Sequence, residues 1–453
     1  MKIKSMLALV LILSFTLASC AGISGSSNTG ENPIGAGSEV IEESGNIPGG
    51  GSEDDKIPDV NEKTPNEGEK LPNDAGEITV DGEKNTDLIL ANRKFSWEIF
   101  KKINDEDSNK DIFISPLSIS TMLTMALNGA NGTTKAAMEN ALFLQGMDLD
   151  YINRGYAWLI NRLNGIDEKI KLDIANSIWI RDGFNVLPDF IERNRSYLDS
   201  EVRTLDFSKA DAAGTINNWI SQKTNNLIPG MIDPPIAEDV MMYLINAIYF
   251  KGEWTEQFEE KNTSEQDFYS IDGKTDKVLM MRRTGKIDYV STDDYKAVSL
   301  PYGNKKTSMI LILPNKDINE FINGMDDEKF GELLERLRPV SDLNLQIPKF
   351  KMEYGIKELN NVLQAVGMGE ALSFNADFTG IANNLYINKV LHKAVIDVNE
   401  EGTEAAAVTV GEMKITAVIE PVSFIADRPF LFVIADIEEG NILFIGKKIY
   451  GDR

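Results

Sequence analysis

The sequence predicts an α+β domain, and two patterns carry that prediction. Helical spacing dominates the first half of the globular region. In the second half, short apolar runs rich in β-branched and aromatic residues dominate, without the regular strand–helix alternation of a parallel α/β sheet. Some 368 residues, from about residue 86 to the end, have globular composition with no second linker, enough for one large core.

The elements follow in chain order. MKIKSMLALVLILSFTLASC opens with two lysines, an apolar run from Met6 to Leu17 and small residues before Cys20. The run is short for a membrane span and fits the apolar region of a secretory signal. Leu17-Ala18-Ser19-Cys20 resembles the bacterial lipobox, in which the cysteine becomes the lipid-modified first residue of the mature chain. The expected division is a signal peptide over 1–19, then a lipid-anchored chain facing the outside of a cell membrane or outer membrane. Cys20 is the only cysteine, so no intramolecular disulfide is expected.

Residues 21–85 hold fifteen Asp and Glu, four Lys, twelve Gly, five Pro and no aromatic residue. Such a stretch cannot bury enough apolar surface to offset its chain entropy, so residues 20–85 are expected to form a disordered acidic linker. As a random coil it spans roughly 45 Å. The formal net charge of the whole chain is −25, and this acidity argues against a nucleic-acid partner, which needs a basic face.

The domain of residues 86–453 opens with Leu88, Ala91, Phe95, Ile99 and Ile103 at helical spacing. LINAIYF (244–250), TSMILIL (307–313), PFLFVIAD (429–436) and NILFIGK (441–447) read as buried strands. The last two are joined by IEEGN, a plausible hairpin turn. GKT at 273–275 lacks the upstream glycine of a phosphate-binding loop and reads as a turn.

A catalytic reading finds little to work with. His392 is the only histidine. Zinc sites built from His and Cys cannot form, and no cofactor or metal is expected. A serine hydrolase would have to use His392, yet no G-x-S-x-G elbow is present. His392 lies in LHKAVIDV, where a lone histidine reads as a core residue hydrogen-bonded to polar neighbours. No catalytic residue is assigned, and the chain is not expected to be an enzyme.

Six stretches, in order, resemble one family. They are DIFISPLSISTMLTMALNGANGTT (111–134), NAIYFKGEW (246–254), LPYGNKKTSMILILP (300–314), IPKFKMEYGIKELNNVLQAVGM (347–368), FTGIANNLYINKVLHKAVIDVNEEGTEAAAVTV (378–410) and ADRPFLFVIADIEEGNILFIGKK (426–448). On these residues the chain is identified as a member of the serpins, the serine protease inhibitors, in an inhibitory, lipoprotein form. The resemblance implies one domain of three β-sheets and about nine helices, with an exposed reactive-centre loop over about 400–425. It also implies the mechanism. A serine protease attacks the loop as substrate; the cut loop then inserts as a new strand in the main sheet and traps the acyl-enzyme. A non-inhibitory, chaperone-like binding protein of the same fold is the alternative.

The loop's own sequence suits insertion. In a strand, Thr403, Ala405, Ala407, Thr409, Gly411 and Met413 share one face; Glu404, Ala406, Val408, Val410, Glu412 and Lys414 share the other. All three charges fall on one face, and no proline interrupts the ladder. Gly402 can serve as the hinge. The resemblance places the hinge at Glu400, Gly402, Thr403, Ala405, Ala406 and Ala407. It puts a buried polar cluster at Ser115, Ser118, Asn246 and His392, with Trp254 at the top of the sheet and a salt bridge between Glu400 and Lys349. Seventeen residues on from Glu400, the family register puts the scissile bond at Thr416–Ala417; counting back from Pro429 favours Val418, and Lys414 and Ile415 are alternatives. Thr416 or Val418 would suit an elastase- or subtilisin-like protease with a small apolar pocket. A monomer is expected.

Overall fold

The computed structural model describes residues 7–17, 82–402 and 422–451. Two regions of expected interest lie outside them: most of the linker with Cys20, and residues 403–421, which include the expected scissile bond.

The first helix, α1 (Thr86–Glu106), starts where the Asn85 side chain accepts a hydrogen bond from the backbone N–H of Leu88 at 2.8 Å, a standard N-cap. Its residues Leu88, Ala91, Phe95, Ile99 and Ile103 are all buried, as their spacing predicts. Packing begins a little before the expected boundary at residue 86. Asn85 is buried, Glu83 donates its N–H to the Arg154 carbonyl, and Lys84 pairs with Glu439, so residues 82–85 belong to the domain and not to the linker.

Five more helices precede residue 240: α2 (Pro116–Leu127), α3 (Gly132–Ala141), α4 (Leu149–Asn164), α5 (Pro188–Leu198) and α6 (Ala212–Lys223). The later three are short: α7 (Ile318–Gly324), α8 (Asp327–Arg336) and α9 (Asn360–Leu363). Every residue of α2 is buried, because it lies between the two sheets and touches strands of both. Ser115 caps it and Pro116 supplies the fixed φ of its first turn.

The strands, in chain order, are β1 (Leu7–Leu17), β2 (Ile112–Ile114), β3 (Ile170–Arg181), β4 (Ser200–Leu205), β5 (Val240–Gly252), β6 (Ser264–Tyr269), β7 (Thr275–Ser291), β8 (Tyr295–Pro301), β9 (Thr307–Pro314), β10 (Arg338–Pro348), β11 (Phe350–Glu358), β12 (Leu385–Val398), β13 (Ser423–Ile425), β14 (Phe430–Asp436) and β15 (Asn441–Lys448). The four runs read as strands fall in β5, β9, β14 and β15. The β14–β15 pair is antiparallel, with Gly440 in the left-handed region at φ +74°. GKT is the turn between β6 and β7, with Gly273 also at positive φ.

The central sheet has the order β11-β12-β1-β5-β3-β4. The remaining strands form two sheets run together through the 17-residue β7. Its first part pairs with β6 and β10, which carries β13; its last residues pair with β8, which continues to β9, β14, β15 and β2. Among the described residues, the α+β architecture of three sheets and nine α-helices is the expected one. Ser423–Ile425 pairs in parallel with β10, so the loop, expected to run to about 425, ends before β13.

The sequence assigns β1 no place in the sheet. The apolar run expected to be a signal segment lies between β12 and β5, antiparallel to both. A continuous apolar run is the composition of a central strand as well as of a leader, and periodicity alone does not separate the two.

Candidate functional site: the gap between two central strands

Two places along β5 and β12 bear on function: the top, where the chain leaves β12, and the middle, above α2. At the top, β12 turns back through a two-residue hairpin. Asn399 and Gly402 exchange both backbone hydrogen bonds, at 3.1 and 3.3 Å, around Glu400 and Glu401. Gly402 also bridges Glu253, just past the end of β5. The chain therefore arrives at Gly402 already between the two strands and antiparallel to both.

Only glycine fits there. Its φ is +129°, and a Cβ would lie 2.5 Å from the Gly252 carbonyl oxygen and 2.6 Å from the Trp254 nitrogen, both backbone atoms. Of the residues expected at the hinge, Glu400 and Gly402 are described, while Thr403, Ala405, Ala406 and Ala407 lie outside the described residues.

Hydrogen bonds fix the turn from below. Trp254 donates its indole N–H to the Asn399 carbonyl at 3.0 Å and its backbone N–H to the Glu401 carbonyl at 3.1 Å. Its ring stacks on Tyr302, centroids 4.5 Å apart. The Glu400 carboxylate accepts from the Lys349 ammonium at 2.6 Å and from the Thr263 hydroxyl at 2.8 Å. Burial pushes this carboxyl's pKa up, but the bonds from Lys349 and Thr263 outweigh it and hold the pKa below its ordinary value. Trp254, Glu400 and Lys349, expected together at the top of the sheet, are thus brought together there. Thr263 and Tyr302 were not anticipated.

In the middle, Ser115 donates its hydroxyl to the Leu443 carbonyl at 2.6 Å and accepts from the Ser118 N–H. The Ser118 hydroxyl donates to Asn246 Oδ1. Asn246 donates onward to Asn176 Oδ1 at 2.7 Å, and Asn176 to the Leu198 carbonyl. Three of the four expected residues therefore join in one chain, extended by Asn176, which the sequence did not suggest.

His392 does not join it. The expected hydrogen bonds to polar neighbours are not seen: the ring is fully buried, and neither nitrogen has a hydrogen-bond partner among the described residues. The reason is register. Leu11 of β1 stands opposite both Asn246 and His392, so two interstrand steps, about 9.5 Å, separate them. Burial pushes the imidazole pKa down to about 3, so the ring is neutral at ordinary pH.

The bridges at Gly402 also fix where the chain beyond it would fall if it continued as a strand. In an antiparallel ladder, a step forward on one strand is a step back on its neighbour. Four steps from the pair Glu253–Gly402 bring Ala406 opposite Tyr249; four from Asn399–Gly402 bring it opposite Val395. Three further steps put Thr409 opposite Asn246 and His392. Phe250, Ile248, Leu244 and Met242 belong to the main core, whereas Tyr249, Ala247 and Ile245 pack with α6 in a second cluster. The uncharged face of the loop sequence thus corresponds to the main core, and the face with Glu404, Glu412 and Lys414 to the outer side.

The sequence profile of the serpins, described as serine protease inhibitors, matches residues 90–450.

The chain belongs to the serpin family.

The relatives agree with the assignment. A serpin-like protein of Methanosarcina acetivorans is 33% identical over 390 residues, covering 82% of this chain and 90% of that protein. The leukocyte elastase inhibitor of Bos taurus is 34% identical over 375 residues, covering 80% of this chain and 98% of its own. Among solved structures, tengpin, a thermophilic serpin in its native state, superposes with a TM-score of 0.74 at 31% identity, covering 82% of this chain and 96% of its own. Serpins act as protease inhibitors and not as catalysts, and inhibitory proteins are among this chain's relatives.

Proposed function

We propose that the chain is an exported inhibitor of serine proteases that traps its target by inserting the cut loop between β5 and β12. The observation that supports this reading is the double bridge at Gly402, the last described residue before the loop, which lies between Asn399 and Glu253 and antiparallel to both. The inserted segment would bring the Thr409 hydroxyl level with His392, whose ring nitrogens lack partners. It would also place the small residues Ala405 and Ala407 over the main core. A dozen residues joining the ladder at roughly 0.5–1.5 kcal/mol net per hydrogen bond give on the order of 10 kcal/mol. Ordering entropy opposes this, so burial of Val408, Val410 and Met413 must contribute.

The target is an extracellular serine protease with a small apolar specificity pocket, elastase- or subtilisin-like, cutting at Thr416–Ala417. The mature chain is monomeric and held through lipidated Cys20 at the outer face of a bacterial membrane, with residues 21–81 as its tether. The test uses the mature chain from residue 20, carrying Cys20→Ser and mixed separately with subtilisin, elastase and trypsin. A complex that survives boiling in detergent, with a released C-terminal peptide starting at Ala417, is expected. Clean cleavage by all three without a complex would favour the non-inhibitory binding protein.

A further inference from the structure

The gap aimed at by Gly402 is filled by the chain's own N-terminus. Leu7 stands opposite Phe250, and Ala8 opposite both Tyr249 and Val395. A strand continued from the bridges at Gly402 would bring Ala405 and Ala406 to these same positions. The coincidence continues without a shift: Val10 occupies the place of Val408, Leu11 of Thr409, Ile12 of Val410 and Ser14 of Glu412. Two unrelated segments, one 400 residues from the other, therefore address one slot in one direction and one register.

We infer that residues 7–17 are a built-in occupant of the loop slot. While they remain attached, they hold the central sheet closed against the reactive loop, and their removal opens it. The inference rests on the proposed insertion mechanism for its consequence, though not for the occupancy itself. Sequence favours the N-terminal segment in the contest. LALVLILSFTL has no charge, proline or glycine across eleven positions, whereas the competing loop stretch carries Glu412, Lys414 and Gly411. Both neighbouring strands are buried along most of this length, and a strand between them does best as a continuous apolar run. Release is then tied to the processing step that removes residues 1–19.

The experiment compares two full-length chains in which Cys20→Ser keeps residues 1–19 attached, confirmed by intact mass. One has the natural N-terminus; the other carries Leu11→Pro and Leu13→Pro, which take two N–H donors from the ladder. Leu9→Glu with Leu11→Glu is the substitute should the proline form not fold. Amide hydrogen exchange over residues 244–250 and 390–396 tests occupancy. Exchange at least 100-fold slower in the natural chain than in the variants is expected, and equal exchange overturns the inference. Nicking the loop then tests the consequence. The variants should gain thermal stability and form at least tenfold more detergent-resistant complex with protease, while the natural chain does neither. A natural chain that gains as much as the variants also overturns it. Slower exchange and a stability gain confined to the variants, with no protease trapped by any chain, would uphold the occupancy and defeat the inhibitory reading instead.

Discussion

The top and the middle of the β5–β12 gap are built on opposite terms. At the top, the polar groups that hold the loop's hinge are satisfied: Glu400 by Lys349 and Thr263, the hairpin carbonyls by Trp254, and Gly402 by two neighbours. In the middle, the chain from Ser115 to Asn176 is satisfied on one side of the gap, while His392 on the other has no hydrogen-bond partner among the described residues. Under the proposed mechanism, this contrast would make the gap selective for one inserted strand. The entrance fixes the register, and the interior supplies a free-energy difference that the right occupant collects.

The largest effect should come from breaking the entrance. Gly402→Ala must adopt a left-handed φ and also press its methyl onto backbone atoms of β5 that have nowhere to move. A loss of roughly 2–3 kcal/mol of stability is expected from chemical denaturation, with a shift from inhibitor to substrate behaviour. A variant as stable as the parent would show that Gly402 does not define the entry.

Next in size is the pH response of the interior. The folded pKa of His392 is about 3, against about 6.5 in the unfolded chain. The unfolded state therefore binds the extra proton, and stability is full above pH 6.5 and falls progressively down to about pH 3, by a few kcal/mol. His392→Leu should remove this part of the slope while leaving the carboxylate contributions at lower pH. It should also stabilise the uncut protein, because it deletes two unsatisfied polar atoms. Denaturant titrations at pH 7, 5.5 and 4 check both signs.

On the satisfied side, Asn246→Ala strands the Ser118 hydroxyl and the Asn176 carbonyl. It should cost about 1–3 kcal/mol, measured by the same titrations. Least of all should be Glu400→Gln. Lys349 is over a third exposed, so the lost ion pair is worth about 1 kcal/mol or less. The sign of its pH effect matches the lowered pKa of Glu400: the contribution is present above the ordinary carboxylate range and fades as pH falls through it. A cost for Glu400→Gln larger than that for Asn246→Ala would reverse the contrast between the two regions.

The parts of this arrangement legible in the sequence are those with a local signal. Strands β9, β14 and β15 were readable because each is buried throughout and reads as an apolar run. The helix α1 declared itself by spacing, and Gly402 by its place between Glu401 and a run of small residues. The partners that complete the site have no such signal. Thr263 reaches Glu400 from 137 residues away, Asn176 reaches Asn246 from 70, and both are ordinary polar residues until the fold brings them in. His392 misled for a related reason. A histidine in an apolar alternating strand is normally satisfied across the sheet, and nothing local reveals that another strand stands between it and Asn246. Leu7–Leu17 is ambiguous in principle, since the composition that marks a secretory leader also marks a strand buried on both faces.

The central claim is that the gap between β5 and β12 is the loop's destination, and thermal unfolding tests it most directly. The mature chain from residue 20, without the N-terminal strand, is melted intact and after a single cut within residues 403–421. The account predicts that the cut chain melts higher, by on the order of 10 °C or more, because a strand has been added to the central sheet. An unchanged or lower melting temperature after the cut would contradict it.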